Sequence, residues 1–423
     1  LLTDKSKTYI LLIRNLPISN VSDLRGLAKM NIIKNTMGSH RLMNRINTLK
    51  ILNLLRENIS ISRIELSRMT KLDAKTITNI VRVLFKQDLI EEKGFNESSG
   101  GRPSEKLSIK TSSNFCIGVD LGATHVTCAM VDMRGSVLYK DECEVSLNES
   151  KESVIKKIIF LIEKCSRNTK KKYIRGIGMG LPGLFDRKKG VSVHAANLPK
   201  WKNVPVRNIL SNKFDLPVYF EDCSRVMALG EMWYGKCKNI KDFIFLDIGY
   251  GIGCGIVNNS ELQSGATNSI GEIGHIKVEL NGKPCGCGSS GCLETVSSGM
   301  AIAREYKRRS GLNGLSRLTA KDVLTRAYSG DATAKRIVSE SGKYLGLAIS
   351  HIINILNPDI VVVGGKLSKS GSVLLKPMKD AVEKYSYSGS LKGLKIVNSE
   401  LGDDAGVLGA SALVLRNIFE LEV

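Results

Sequence analysis

Gly271-Glu272-Ile273-Gly274-His275 is followed by Cys285-Gly286-Cys287-Gly288-Ser289-Ser290-Gly291-Cys292-Leu293-Glu294. One imidazole and three thiolates complete a tetrahedral shell, the arrangement zinc favours in closed structural sites. The glycines between the cysteines let a loop wrap around an ion without steric strain. The stretch reads as a structural Zn2+ site made by His275, Cys285, Cys287 and Cys292, with a chance cluster of buried thiols as the alternative. The other cysteines, at 116, 128, 143, 165, 223, 237 and 254, are scattered, most of them through apolar stretches as buried thiols would be. A tight cluster in a long chain points to a reducing compartment, and a cytoplasmic location is expected. The longest early apolar run, residues 9–13, is too short for a secretory core or a membrane span, so no membrane partner is expected.

Upstream, Cys116-Ile117-Gly118-Val119-Asp120-Leu121-Gly122-Ala123-Thr124 reads as a buried strand ending in a glycine turn. A hairpin whose turn is Asp-Leu-Gly-x-Thr can cradle phosphate on the backbone around Gly122 and Thr124, while Asp120 can hold magnesium. An ordinary glycine hairpin is the alternative. A second strand-turn-strand, 243–253, repeats the pattern with Gly249 and Gly251 in its turn. Two such hairpins suggest a duplicated α/β fold with a nucleotide or sugar cleft between its halves.

The chain of 423 residues is too long for one ordinary domain, and its 42% hydrophobic content suffices for real cores. Net charge is +21, of which residues 1–110 carry +10 and the remaining 313 carry +11. The amino-terminal quarter is therefore the more basic per residue, as a phosphate-binding surface would be, although general lysine enrichment would look similar. Met43, Ile46, Leu49, Leu52 and Leu55 recur at helical spacing. Ser62-Arg63-Ile64-Glu65 has capping-box spacing and opens a second helix to about Met69. A third starts near Ala74 with Ile77, Ile80, Val81 and Leu84 on one stripe. Its other face carries Lys75, Asn79, Arg82 and Lys86, flanked by Thr76 and Thr78. Asn and Arg suit base edges in the major groove, Lys and Thr suit phosphates, and a solvated bundle face is the alternative. Strand-like 89–93 and 106–109 then bracket Gly100-Gly101-Arg102-Pro103, a wing whose Arg102 is shaped for a narrow minor groove. The predicted boundaries are a poorly defined extension over 1–42, a winged helix-turn-helix over 43–110, and an α/β domain over 111–423. The sequence begins Leu1-Leu2 without methionine, and the expected natural start is nearer Met30, Met37 or Met43.

These motifs, with Gly178-Met179-Gly180-Leu181-Pro182-Gly183, Asn197-Leu198-Pro199-Lys200-Trp201 and Asp403-Asp404-Ala405-Gly406, resemble the ROK family (repressor, open reading frame, kinase) in order and over about residues 43–415. The winged helix in front resembles the repressor branch, as in xylose and N-acetylglucosamine repressors. The resemblance implies an actin-like (ribonuclease H-like) domain of two α/β lobes, assembled as a homodimer or homotetramer. It also implies sugar-hydroxyl ligands at Glu272, His275 and Glu294, with Gly183 and Asn197 lining the pocket.

One departure is informative. Kinases of the family read Glu-Asn-Asp-Ala-Asn where this chain has Glu221-Asp222-Cys223-Ser224-Arg225. Cys223 takes the place of the aspartate that accepts the sugar's proton, with Asp222 as its neighbour. A thiol with a reference pKa near ~8.5 is a poor general base at neutral pH. Tyr250 replaces a small threonine, Ala123 a second glycine, and Lys366 a third glycine after Gly364-Gly365. Asp120, Gly122, Thr124, Gly249 and Gly251 are accordingly read as vestigial phosphate loops. The expectation is a non-catalytic, sugar-responsive regulator that binds an operator in double-stranded DNA and represses carbohydrate-utilisation genes. The alternatives are an ATP-dependent sugar kinase carrying a DNA-binding module, and regulation by a protein effector with the sugar pocket vestigial.

Overall fold

A computed structural model describes residues 39–95, 105–312 and 318–419. The chain divides into two compact units, one built from residues up to Lys110 with Asn259–Glu261 and the residues from Arg416 onward, the other from Thr111–Asn258 with Leu262–Leu415. Among the described residues no helix is long and apolar enough to cross a membrane.

The first unit holds three helices and a three-stranded sheet. Helix α1 (Ser39–Glu57) begins ahead of residue 43. Among its described side chains the buried ones are Ile51, Leu52 and Leu55, whereas Met43 is exposed, so the apolar periodicity that starts at Met43 overstates the packed face. Strand β1 (Ile61–Ser62) leads into α2 (Arg63–Thr70). The expected capping box is formed there. The Ser62 side chain accepts from the Glu65 amide, and Glu65 accepts from the Ser62 amide. Two otherwise orphaned amides are satisfied at once. Ser62→Ala should therefore lower the stability of this unit by about 1 kcal/mol, read as an earlier first transition in urea. A transition unmoved by the substitution would leave the cap without energetic weight.

Lys71 closes α2 in the left-handed conformation (φ 57°), and Asp73 caps α3 (Ala74–Lys86). Ile77, Ile80, Val81 and Leu84 are buried, as the stripe predicted. Strands β2 (Ile90–Phe95) and β3 (Glu105–Ile109) pair antiparallel, with β3 central in the order β1-β3-β2. The expected wing tip and Arg102 lie outside the described residues.

The second unit is built on two five-stranded sheets. In the first, β4 (Phe115–Leu121), β5 (His125–Asp132) and β6 (Val137–Glu144) form an antiparallel meander. After α4 (Lys151–Ser166), β7 (Ile174–Leu181) pairs parallel to β4. A small sheet of β8 (Leu184–Asp186), β9 (Val191–His194) and β10 (Lys202–Val204) and helix α5 (Val206–Phe214) intervene. Then β11 (Val218–Asp222) pairs parallel to β7 and runs into α6 (Cys223–Trp233).

The second sheet repeats this plan. Strands β12 (Phe243–Ile248) and β13 (Ile252–Asn258) form the hairpin, with the two-residue β14 (Glu261–Leu262) beyond it. Helices α7 (Glu294–Ser297), α8 (Gly299–Ser310), α9 (Ala320–Tyr328) and α10 (Ala332–Leu356) follow. Then β15 (Ile360–Gly364) pairs parallel to β12, and after α11 (Ser372–Tyr385) β16 (Lys395–Asn398) pairs parallel to β15. The orders are β6-β5-β4-β7-β11 and β14-β13-β12-β15-β16, the same topology twice. Helix α12 (Ala405–Phe419) ends the described chain. This is the actin-like architecture, with helices packed on repeated mixed sheets. The central strands are buried along their length, in keeping with the apolar stretches 116–119 and 360–363.

Candidate effector, metal and DNA sites

The four metal-ligating side chains converge, as their spacing predicted. Their ligand atoms all lie within 4.8 Å of one another. Cys287 Sγ and Cys292 Sγ are 3.8 Å apart, and Cys285 Sγ lies 3.6 Å from His275 Nδ1. Metal–sulfur bonds of about 2.3 Å put the corners of a tetrahedron about 3.8 Å apart, so the cluster can hold a metal ion. Backbone pairing shapes the loop: Lys277 bridges to Cys292, and Pro284 to Ser290. Tyr344 donates to Glu279 (2.7 Å), anchoring one side. The Lys277 ammonium lies 2.8 Å from Cys292 Sγ, where it can offset the surplus charge of three thiolates on a divalent ion. Sequence reasoning missed it, because lysine is not itself a ligand.

With Nδ1 turned toward Cys285, the other nitrogen of His275 faces Glu272 across 3.9 Å. Glu272 caps and His275 ends the 3₁₀ turn Ile273–His275, which Gly271 introduces at φ 90°; a Cβ there would stand 2.0 Å from the Cys254 carbonyl oxygen. Glu294, at the start of α7, accepts from the Ile252 amide (3.3 Å), and burial pushes its carboxyl up. His275 and Glu272 act on Glu294 electrostatically, and Glu294 in turn acts on the Tyr250 phenol. A Cβ on Gly251 would lie 2.7 Å from Glu294 Oε2 and 3.3 Å from Asn197 Nδ2, so the glycine lets those side chains come together. Gly183 (φ 76°) packs against the carbonyl of His194, at the foot of the Asn197 loop that Trp201 anchors through its bond to Ser192 (2.8 Å). Glu272, His275, Glu294 and Asn197 thus gather from three separate segments.

The neighbouring corner is acidic: Asp120, Asp222 and Asp247 all act on the Cys223 thiol. Cys223 Sγ donates to the Leu121 carbonyl oxygen (3.4 Å), and burial raises its pKa well above the ordinary thiol value. The Asp222 carboxylate caps α6 by accepting from the amides of Ser224 (3.0 Å) and Arg225 (3.2 Å). Burial pushes Asp120 and Asp222 up to about 6, and Asp247 up to about 7, where Asp120 and Asp222 add repulsion. Each keeps a proton in the folded chain at pH values where the unfolded chain has released it. Their contribution to stability is therefore complete below about pH 4 and is lost as pH rises through 6 to 7. Asp247→Asn should raise the melting temperature at pH 8 and change it little at pH 4. Equal shifts at both values would contradict the assignment.

The expected phosphate loop around Asp120, Gly122 and Thr124 is present as a turn, with the Gly122 amide bonded to the His125 carbonyl (2.9 Å). The His125 ring lies over it, since a Cβ on Gly122 would come within 2.7 Å of that ring. Lys366 Nζ is 3.3 Å from His125 Nδ1. His125 was missed by sequence reasoning, because a histidine beside a turn carries no motif. In the second turn, Gly249 bonds through its amide to the Gly251 carbonyl (3.0 Å).

On α3 of the first unit, Lys75, Asn79, Arg82 and Lys86 are exposed along one face, opposite the buried stripe. Thr76 Oγ1 donates to Asp73 (2.6 Å) and Thr78 Oγ1 to the Ala74 carbonyl (2.8 Å). Both hydroxyl protons are thus used locally, leaving the cationic and amide side chains as the donors that face solvent.

A sequence profile of the ROK family matches residues 116–417. The xylose repressor of Caldicellulosiruptor bescii is 32% identical over 393 residues, covering 90% of this chain and 98% of its own length. A glucokinase of Halalkalibacterium halodurans is 35% identical over 324 residues, covering 74% of this chain and 98% of its own. Among solved structures, a ROK family transcriptional regulator described as a homolog of the E. coli MLC protein superposes with a TM-score of 0.76 at 28% identity. It covers 89% of this chain and 97% of its own.

Proposed function

The chain belongs to the ROK family, and we propose that it is a sugar-responsive, DNA-binding transcriptional repressor of carbohydrate-utilisation genes whose kinase site no longer works. The observation that carries the non-catalytic half is Cys223. A neutral thiol that donates its proton to Leu121 cannot take one from a sugar hydroxyl. His125 and Lys366 over the first phosphate loop argue in the same direction. The regulatory half is supported by the reach of the repressor match, which takes in 90% of the chain, against 74% for the glucokinase.

In this reading α3 of a winged helix-turn-helix (43–110) enters the major groove. Asn79 and Arg82 read bases, Lys75 holds phosphate, Thr76 and Thr78 line the contact, and Arg102 on the wing reaches the minor groove. Glu272, His275, Glu294, Asn197 and Gly183 bind the sugar. Zn2+ held by His275, Cys285, Cys287 and Cys292 is the structural cofactor, and its chemistry is to fix the His275 ring so that the second nitrogen faces the ligand. The protein works as a homodimer or homotetramer in the cytoplasm. To move the equilibrium from DNA-bound to DNA-free, the sugar must favour the released state by about 5 kcal/mol.

The test is a gel-shift titration with the promoter fragment that precedes the gene, with and without simple and phosphorylated sugars, beside a coupled ATP-consumption assay. Operator binding that one sugar relieves, with no turnover, is expected. Brisk phosphorylation of a hexose or pentose would favour the kinase alternative. Operator binding that no sugar alters would transfer the signal to a protein effector.

A further inference from the structure

Residue 225 is an asparagine in the kinase pattern and an arginine here, and the structure buries it. Arg225 is 1% exposed and its partner Glu221 3%. Nε and Nη2 both donate to Glu221 Oε1, at 3.0 and 2.6 Å. Nη1 donates to the carbonyl oxygens of Asn268 (2.7 Å) and Ile270 (3.3 Å). Arg187 donates to the other oxygen of Glu221, and the Arg225 guanidinium lies 5.8 Å from the centre of the Phe185 ring. A buried cation of this kind is easily outdone in stability by a well-packed apolar side chain, so stability alone does not account for it.

Its contacts join two parts of the effector site. Glu221 is the penultimate residue of β11, next to Asp222, which closes the strand, and Cys223. Asn268 and Ile270 belong to the loop that delivers Glu272 and His275, a loop that turns at Asn268 (φ 59°) and again at Gly271 (φ 90°). Asp222 and Glu272 repel each other, and Arg225 is the charge that most favours ionised Asp222. One guanidinium therefore ties the two segments and offsets the repulsion between their carboxylates. An asparagine is too short to make both sets of contacts.

We propose that Arg225 is a positioning residue that holds the 264–272 loop against the end of β11, and so sets how closely Glu272 and Asp222 converge on one polyol ligand. The affinity part rests on the effector reading above, whereas the loop-holding part does not.

The test uses the full-length protein. Hydrogen exchange is followed by mass spectrometry in peptides covering 264–275, β4 and β7, for wild type, Arg225→Met, Arg225→Lys and the double variant Glu221→Leu/Arg225→Met. Arg225→Met should speed exchange in 264–272 at least tenfold and leave β4 and β7 unchanged. Arg225→Lys, which keeps the charge but not the fork, should recover part of the protection. The double variant leaves no orphaned carboxylate, so it serves if the single variant does not fold, and it should show the same loosened loop. In parallel, the dissociation constant for the sugar that relieves operator binding should rise at least tenfold, with sugar-free operator affinity within twofold of wild type. Wild-type protection of 264–272 in a folded variant, or faster exchange spread evenly over β4 and β7, would overturn the proposal. Failure of any sugar to bind wild type would overturn the sensing reading instead, and the exchange result would still decide the role of Arg225.

Discussion

Arg82→Ala is expected to weaken binding to the protein's own promoter by about 1–3 kcal/mol, roughly ten- to a hundredfold, and to relax selectivity at one base pair. Arg82 is exposed on the face of α3 opposite Ile77, Ile80, Val81 and Leu84. Its removal leaves the core intact, and alanine is a good helix former, so the thermal melt should not move. Asn79→Ala should act similarly at a neighbouring base. Lys75→Ala should behave differently: affinity should fall on all sequences alike, and the slope of log affinity against log salt should shrink by about one. Fluorescence anisotropy at several salt concentrations, on matched and single-mismatch duplexes, separates these outcomes. Affinity indifferent to all three substitutions would place the DNA contact away from α3.

Cys285→Ser is expected to cost the chain its metal and, with it, the response to sugar. Wild type should carry one zinc per chain by elemental analysis. The ligand atoms already stand at tetrahedral spacing, and the loop that bears them delivers His275 at one end and Glu294 just past the other. Without the ion, three thiols and an imidazole have little reason to converge, so both sugar ligands lose their common anchor. A loss of several kcal/mol is expected, which for a domain of this size lowers the melting temperature by at least about 5 °C. Chelation of the wild type should do the same, and Cys237→Ser, which alters a buried thiol outside the cluster, should leave the metal in place. A variant at position 285 that retains full zinc and an unchanged sugar response would remove His275, Cys285, Cys287 and Cys292 as the site. Lys277→Met offers a graded version: zinc should be retained but released faster to a competing chelator, since the ammonium beside Cys292 is gone.

Much of this was legible beforehand where chemistry is local. The capping box at Ser62 and Glu65 involves atoms three residues apart, and the stripe on α3 follows the helical repeat, so both formed as expected. The histidine–cysteine cluster likewise rests on a short loop. Local reading failed where packing decides. The periodicity from Met43 counted one side chain, Met43 itself, that the core does not reach. Arg225 stood in the sequence as a departure from the kinase pattern, but its partners, the carbonyls of 268 and 270, did not, and neither did the pairing of Lys277 with Cys292, because folding alone makes these contacts; His125 beside the Gly122 turn carried no motif. The exchange of aspartate for Cys223 was visible in the sequence, but the direction of its proton was not, because the accepting carbonyl at Leu121 lies 102 residues earlier.

The order of residues by itself determined the period of each helix and strand, the caps, the ligand types of the metal loop and the repetition of a glycine-turned hairpin, since these depend on neighbours within a few positions. Only the tertiary structure decided which carboxylates share a site and which cations balance them, and whether the thiol at 223 faces a ligand or a carbonyl. Those outcomes depend on contacts between distant segments, and on burial that changes the charge a group can carry.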